Sequence, residues 1–218
     1  YTLDLYKELE KKVDHSAGLR LNGALSIAQE KGRWQELQRQ ATTAQLYDVD
    51  VRILNKDQIK EDYSIINTDE VIGGILMPGD GAADPSGVTH MLAKAARMEG
   101  AQIFEKSPVE EITTKNGKIS GVKVKGQTID CEYIVLATGM WSRQLGEDIN
   151  VSVPLYPNEH FYIITEPMNE LPKDLPVLRD YNACLYLKED AGKMLVGIFE
   201  PNAKPAFKDT GKVPENFS

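Results

Sequence analysis

An imidazole and a phenol stand two residues apart in His160-Phe161-Tyr162. On a strand, alternation puts both side chains on one face. Imidazole titrates near working pH, and beside a phenol it can orient an amine or accept its proton. The same pair suits plain cross-strand packing at a sheet surface. A second candidate is the turn Ala137-Thr138-Gly139, which follows an apolar run at 133–136. Small residues there let the backbone approach a ligand closely, and a following helix N-terminus offers N–H groups to an anion. Such turns are also ordinary connections in α/β proteins, so spacing alone leaves both readings open.

Other chemistry is missing. No strand runs into a G-x-G-x-x-G loop and helix, as a dinucleotide-binding domain requires. Glycines cluster at Gly73-Gly74 and at Gly79-Asp80-Gly81, outside that setting. If the Thr138 turn touches a dinucleotide, the main phosphate loop is expected outside this sequence. His15, His90 and His160 are far apart, without ligand-like neighbours at short spacing, so no metal site is expected. His90 reads as a surface or capping side chain. Cys131 and Cys184 sit singly in apolar runs and read as small buried hydrophobes in a reducing compartment.

Composition narrows the class. The 218 residues can hold one large domain or two small ones. Hydrophobic residues at 41% and charged residues at 27% describe an ordinary globular chain. The net charge of −8, without a basic stripe, argues against nucleic acid as a partner. No apolar run is long enough to span a bilayer, so no membrane partner is expected. Tyr1 opens into a charged amphipathic segment rather than a basic start and an apolar core, so no secretory leader is expected.

The elements that must position these residues follow from periodicity. Leu5, Leu9 and Val13, with Tyr6 alongside, predict an amphipathic first helix ended by His15-Ser16-Ala17-Gly18. Residues 19–28 predict a strand pair with a turn. A second helix is expected over 30–46, turning Trp34, Leu37 and Ala41 inward. Asn55 and Gln58 predict a capping box for a short third helix. Asp84 before Pro85 is an N-cap followed by an ideal first helical residue, and that helix is expected to bury Val88, Met91, Leu92 and Ala95 and stop at Gly100. Strands are predicted at 102–106 and 109–114, then a tight turn at Asn116-Gly117 leading into 119–125. The run 133–136 reads as a strand buried on both faces, followed by a helix over 141–149. Further strands are expected at 159–165, 183–188 and 194–199, and the tail beyond Pro201 reads as a loop or a truncated connection.

Five stretches, in order, resemble one family. They are Gly79-Asp80-Gly81-Ala82-Ala83-Asp84-Pro85; Gly100-Ala101-Gln102 with Ser107-Pro108-Val109-Glu110-Glu111-Ile112; Ile134 through Trp141; His160 through Glu166; and Arg179-Asp180 with Tyr186-Leu187. The chain resembles the middle of the dimethylglycine and sarcosine dehydrogenase group, within the D-amino-acid-oxidase-like flavoproteins. Thr138, Met140 and the plain pair Ala82-Ala83 depart from many relatives. These departures bear on the particular amine more than on the reaction type.

The resemblance implies a mixed α/β fold: part of a Rossmann-like FAD domain interleaved with a mixed, largely antiparallel substrate-domain sheet. Residues 84–149 would be flavin-domain chain, and 1–83 and 150–218 substrate-domain chain. It also implies that the first dinucleotide loop and a flavin-linked histidine precede Tyr1, and that a last flavin-contacting strand follows Ser218. The expected function is a fragment, inactive alone, of an FAD-dependent oxidoreductase of a small N-methylated amine. Hydride passes from an N-methyl group to flavin, and water or folate intercepts the iminium. The alternative is a non-catalytic binding or scaffold domain. FAD is expected in the complete protein and not in this chain alone. Hydride transfer needs a neutral amine, so His160 and Tyr162 are the expected catalytic pair. Arg179 either pairs with a substrate carboxylate, whose geometry its fork matches, or ties its own loop through Asp180. Pro108, Val109, Ala137, Thr138, Gly139 and Trp141 are the expected cofactor contacts. The expected setting is cytoplasmic, or the mitochondrial matrix in a eukaryote, and the motifs name no electron acceptor.

Overall fold

The computed structural model describes residues 1–214. In chain order its elements are α1 (Thr2–Val13), β1 (Ala24–Ala28), α2 (Lys31–Leu46), β2 (Arg52–Leu54), α3 (Lys56–Asp62), β3 (Gly73–Met77), α4 (Pro85–Met98), β4 (Glu111–Lys115), β5 (Lys118–Val124), β6 (Gln127–Asp130), α5 (Ser142–Glu147), β7 (Phe161–Ile164), β8 (Val177–Asp180), β9 (Leu185–Asp190) and β10 (Lys193–Ile198). Contacts divide the chain into two units. Tyr1–Ala101 packs with His160–Pro201, and Gln102–Glu159 packs with the segment from Asn202 onward.

The first unit is built around β1, whose five residues are all buried because both its edges and both its faces are occupied. The sheet order is β2-β3-β1-β8-β9-β10-β7. Only the β1–β8 pair is parallel, so the sheet is mixed and largely antiparallel. One face carries Leu25, Ile27, Leu178 and Met194, packed with Ile59, Tyr63, Leu171 and Leu175. On the other face α2 lays Leu37 and Ala41 against Ala28 and Ile75. Helices α1 and α4 form their own layer, with Val13 and Ala17 against Met91 and Ala95. The Asp84 carboxylate accepts from the Ser86 and Gly87 N–H groups with Pro85 in the first turn, and the capping box at Asn55 and Gln58 forms in both directions.

Several expected strands differ. Gly73 and Gly74 begin β3, where the Trp34 ring and the Ser26 carbonyl lie 2.8 and 2.7 Å from where a Cβ would stand. Close approach of neighbouring atoms is what those glycines serve. The predicted strand at 102–106 does not form, and Lys106 takes a left-handed φ of 51°. The predicted pair over 19–28 reduces to β1 and a single bridge between Arg20 and Ala82. Leu92 is 38% exposed rather than buried, because Met91 and Ala95 hold the face turned to α1. Cys131 and Cys184 are half-buried thiols rather than core residues.

In the second unit β4, β5 and β6 form an antiparallel meander. Both turns, Asn116-Gly117 and Lys125-Gly126, hold two consecutive residues at positive φ, as two-residue hairpins with right-handed strand twist require. The run 133–136 is not a strand, and Tyr133 and Val135 are 86% and 87% exposed. Among the described residues no strand lies beside it, so its backbone has no ladder to join. The following helix is shorter than expected: a 3₁₀ turn at Gly139–Trp141, then the six residues of α5.

Candidate active site

Directly paired residues of neighbouring strands point to the same face of a sheet. One such row crosses all seven strands: Ile53, Ile75, Ser26, Arg179, Tyr186, Gly197 and Tyr162. Helix α2 covers the row at Ile75. Beyond Ser26, Arg179 is exposed, Tyr186 is half-buried and Tyr162 is 61% exposed. A guanidinium and two phenols therefore share one open sheet face.

Arg179 lies between buried Leu178 and buried Asp180, so alternation alone sends it to the open face. Among the described residues its guanidinium has no hydrogen-bond or ion-pair partner. Asp180 points the other way and ties the loop itself: it accepts from the Asn182 and Ala183 N–H groups at 3.0 Å each and from Gln29 Nε2 at 2.7 Å. The guanidinium is thus not spent on its own loop. A planar fork on an open face suits a carboxylate.

Tyr162 enters the row from β7, the edge strand. His160 stands one residue before that strand. Its ring meets Phe199 edge-on at 5.2 Å, and Nδ1 lies 3.4 Å from Glu200 Oε2. Phe199 in turn lies 5.5 Å from the Tyr186 ring, tilted by 31°. The aromatic set is therefore His160, Phe199, Tyr186 and Tyr162. In the sequence Tyr186 stands out only within its matching stretch, and Phe199 only as the end of a predicted strand. Which rings meet depends on strand register, which periodicity does not supply.

The β9–β10 hairpin that carries Tyr186 and Gly197 is anchored at its turn by Glu189. This side chain is buried, and burial alone would raise its pKa. The Gly192 N–H and the Arg20 guanidinium outweigh that and hold the carboxyl below its usual range.

The expected cofactor contacts fall in the second unit. Pro108 and Val109 are exposed just ahead of β4. Ala137, Thr138 and Gly139 are exposed as well, and Thr138 Oγ1 lies 2.9 Å from Ser142 Oγ. Gly139 has φ +53°, with no atom within 4 Å of where a Cβ would stand. Backbone conformation rather than crowding within this chain selects glycine there. Trp141 is half-buried, and its indole N–H donates to the Pro214 carbonyl at 2.9 Å. Among the described residues no cluster of His, Cys, Asp or Glu could hold a metal ion.

Comparison with known proteins agrees with this architecture. The chain is 32% identical to 4-methylaminobutanoate oxidase (formaldehyde-forming) of Paenarthrobacter nicotinovorans over 99% of its own length and 26% of that protein. It is 32% identical to human mitochondrial sarcosine dehydrogenase over 90% of its length and 22% of that protein. It thus spans about a quarter of the length of these relatives. Among solved structures, L-proline dehydrogenase from P. horikoshii superposes with a TM-score of 0.76 at 22% identity, over 89% of this chain and 52% of that one. The family model described as FAD dependent oxidoreductase matches residues 1–216, and the chain belongs to that family.

Proposed function

We propose that this chain supplies the substrate-side sheet face and part of the flavin side of an oxidoreductase that oxidises a small N-methylated amine carrying a carboxylate. The observation that carries the reading is the open row in which Arg179, without a partner among the described residues, lies beside Tyr186, with Tyr162 two strands further on. Arg179 would hold the carboxylate. Tyr162 and His160 would fix the amine and accept its proton, keeping the nitrogen neutral. Sarcosine and dimethylglycine fit this description, and the likeness to sarcosine dehydrogenase and 4-methylaminobutanoate oxidase supports them.

A flavin edge needs bare backbone and small side chains, and the exposed turn Ala137-Thr138-Gly139 offers both. That turn, with Pro108, Val109 and the ring of Trp141, would hold FAD. When bound, FAD supplies the acceptor for the hydride that leaves the N-methyl carbon. The flavin side is assigned to 84–149 and the substrate side to 1–83 and 150–218. This division is by ligand contacted, whereas packing divides the chain after Ala101, Glu159 and Pro201. The chain alone is inactive in this reading. Among the described residues no helix is long and apolar enough to cross a membrane. A cytoplasmic setting, or the mitochondrial matrix in a eukaryote, accords with the reading.

The test is anaerobic reduction of the flavin in the complete protein by sarcosine or dimethylglycine. Tyr162→Phe and His160→Ala should each slow reduction without releasing flavin. Reduction at the parent rate in both variants would leave the pair a packing feature. A second reading, a non-catalytic scaffold, is favoured by 29% identity to the mouse pyruvate dehydrogenase phosphatase regulatory subunit. A flavin that no amine reduces in the complete protein would select it.

A further inference from the structure

Gly197 does not need to be glycine for its backbone. It lies within β10, is buried, and is not among the residues at positive φ. The residue is singular for another reason. An ideal Cβ on Gly197 would lie 2.1 Å from Tyr186 Cε1, 2.2 Å from Cζ and 2.5 Å from the phenol oxygen. No real Cβ is accommodated at such distances. The outer edge of the Tyr186 ring thus occupies the volume that any other residue at 197 would fill.

The ring's path matters because of what flanks it. Gly197 pairs with Tyr186 on one side and Tyr162 on the other, and Tyr186 pairs with Arg179. Lying across β10, Tyr186 extends from the Arg179 side of the row toward Tyr162. With a methyl group at 197 the ring must swing aside or lift off the sheet, into the open volume above the row. Its tilted contact with Phe199 and, through Phe199, the edge-on contact with His160 would shift with it.

We propose that Gly197 is a positioning residue for the amine site: by carrying no Cβ, it lets Tyr186 lie flat across the sheet and leaves the volume above the row, over Arg179 and Tyr162, open to substrate. This rests on the amine-oxidising reading above. The competing explanation is purely structural, since an aromatic ring laid over a strand glycine shields its backbone and stabilises the sheet.

The experiment is a double-mutant cycle in the complete flavoprotein, read as anaerobic flavin reduction by sarcosine, with flavin content and Tm measured alongside. Gly197→Ala should raise the sarcosine concentration for half-maximal reduction roughly ten-fold or more, with flavin content unchanged; displacements of about an ångström in such sites have effects of that size. Tyr186→Ala removes the obstacle. The double variant Tyr186→Ala/Gly197→Ala should therefore match Tyr186→Ala within about two-fold. Should Gly197→Ala fail to fold, a folded double variant with the Tyr186→Ala kinetics supports the proposal just as well. Parent-like half-saturation in Gly197→Ala overturns it. So do effects that multiply in the double variant, a lowered Tm with intact kinetics, or a double variant that does not fold. If the parent itself is not reduced by amine, the functional reading falls first. A reducible parent with an indifferent Gly197→Ala sinks the positioning role alone.

Discussion

Gln144 grips Val213 at both ends of its residue: Val213 N–H donates to Gln144 Oε1 at 2.5 Å, and Gln144 Nε2 donates to the Val213 carbonyl at 3.2 Å. Arg143 Nη2 and Trp141 Nε1 hold the carbonyls of Gly211 and Pro214 on either side. Three side chains within four residues, Trp141, Arg143 and Gln144, thus fasten a strap to the element that follows the Thr138 turn. Two hydrogen bonds at about 1 kcal/mol each amount to roughly a ten-fold or larger change in local opening. Gln144→Ala should accelerate amide exchange of 211–213 by that factor and leave the β4–β6 hairpins as they are. Unchanged exchange would mean that Trp141 and Arg143 suffice.

Tyr63 should set the alkaline limb of stability. Its ring is wholly buried, and burial pushes the phenol up to about 12 from 10.0. Between those values the unfolded chain releases the proton and the folded chain keeps it, so stability is intact below about pH 10 and falls as pH rises toward 12. Two pH units correspond to about 2–3 kcal/mol. Tyr63→Phe should flatten this limb. Among the described residues the hydroxyl has no hydrogen-bond partner. At pH 7 the change should therefore be neutral or stabilising, within about 1 kcal/mol. A larger loss on chemical denaturation at pH 7 would reveal a partner for the hydroxyl.

Arg179 separates binding from folding. Because its guanidinium touches no described partner, Arg179→Gln should move stability by no more than about 0.5 kcal/mol. In the complete protein, loss of a charged, forked hydrogen bond of about 1.5–3 kcal/mol should raise half-saturation by amine roughly ten- to hundred-fold. Arg179→Lys should recover part of this, since charge remains and the fork does not. A fall in Tm at unchanged half-saturation would make Arg179 a structural residue.

Gly139 tests the flavin contact. Asn tolerates left-handed backbone, so Gly139→Asn should nearly preserve the flavin-free melting curve, whereas Gly139→Val adds strain of about 1–2 kcal/mol in both states. Both place a side chain over the bare turn and should weaken flavin binding beyond any loss of flavin-free stability. Melting curves of the complete protein, with and without flavin, separate the terms. Equal shifts in both conditions would make the turn a folding feature only.

Local features were legible where one or two residues decide them. Asp84 and Pro85 start α4, Asn55 and Gln58 box α3, and Asn116-Gly117 turns the hairpin, because each effect is completed within four residues. The inward faces of the amphipathic helices are largely written at helical spacing as well, although Leu92 on α4 is exposed. The mixed, largely antiparallel sheet came from the resemblance rather than from the pattern of strands. Nothing in the local pattern marks β8 as a strand, and the apolar run at 133–136, which reads as a buried strand, is exposed and forms none. Apolar character shows that a strand is possible. Only a neighbour with open hydrogen-bonding groups makes it one.

By itself, then, the sequence determined where helices begin, where hairpins turn and which residue types were available for amine chemistry, since those are matters of local sterics and composition. Tertiary structure decided which of them meet. Arg179 and Tyr186 become neighbours only through the register of β8 against β9, and Tyr186 reaches across Gly197 only because β9 pairs with β10 in that same register. A slip of one residue would send Arg179 to the apolar core and Asp180 to the open face. Non-local packing of the other face, with Leu25, Leu178 and Met194 buried against Tyr63 and Leu171, holds that register in place.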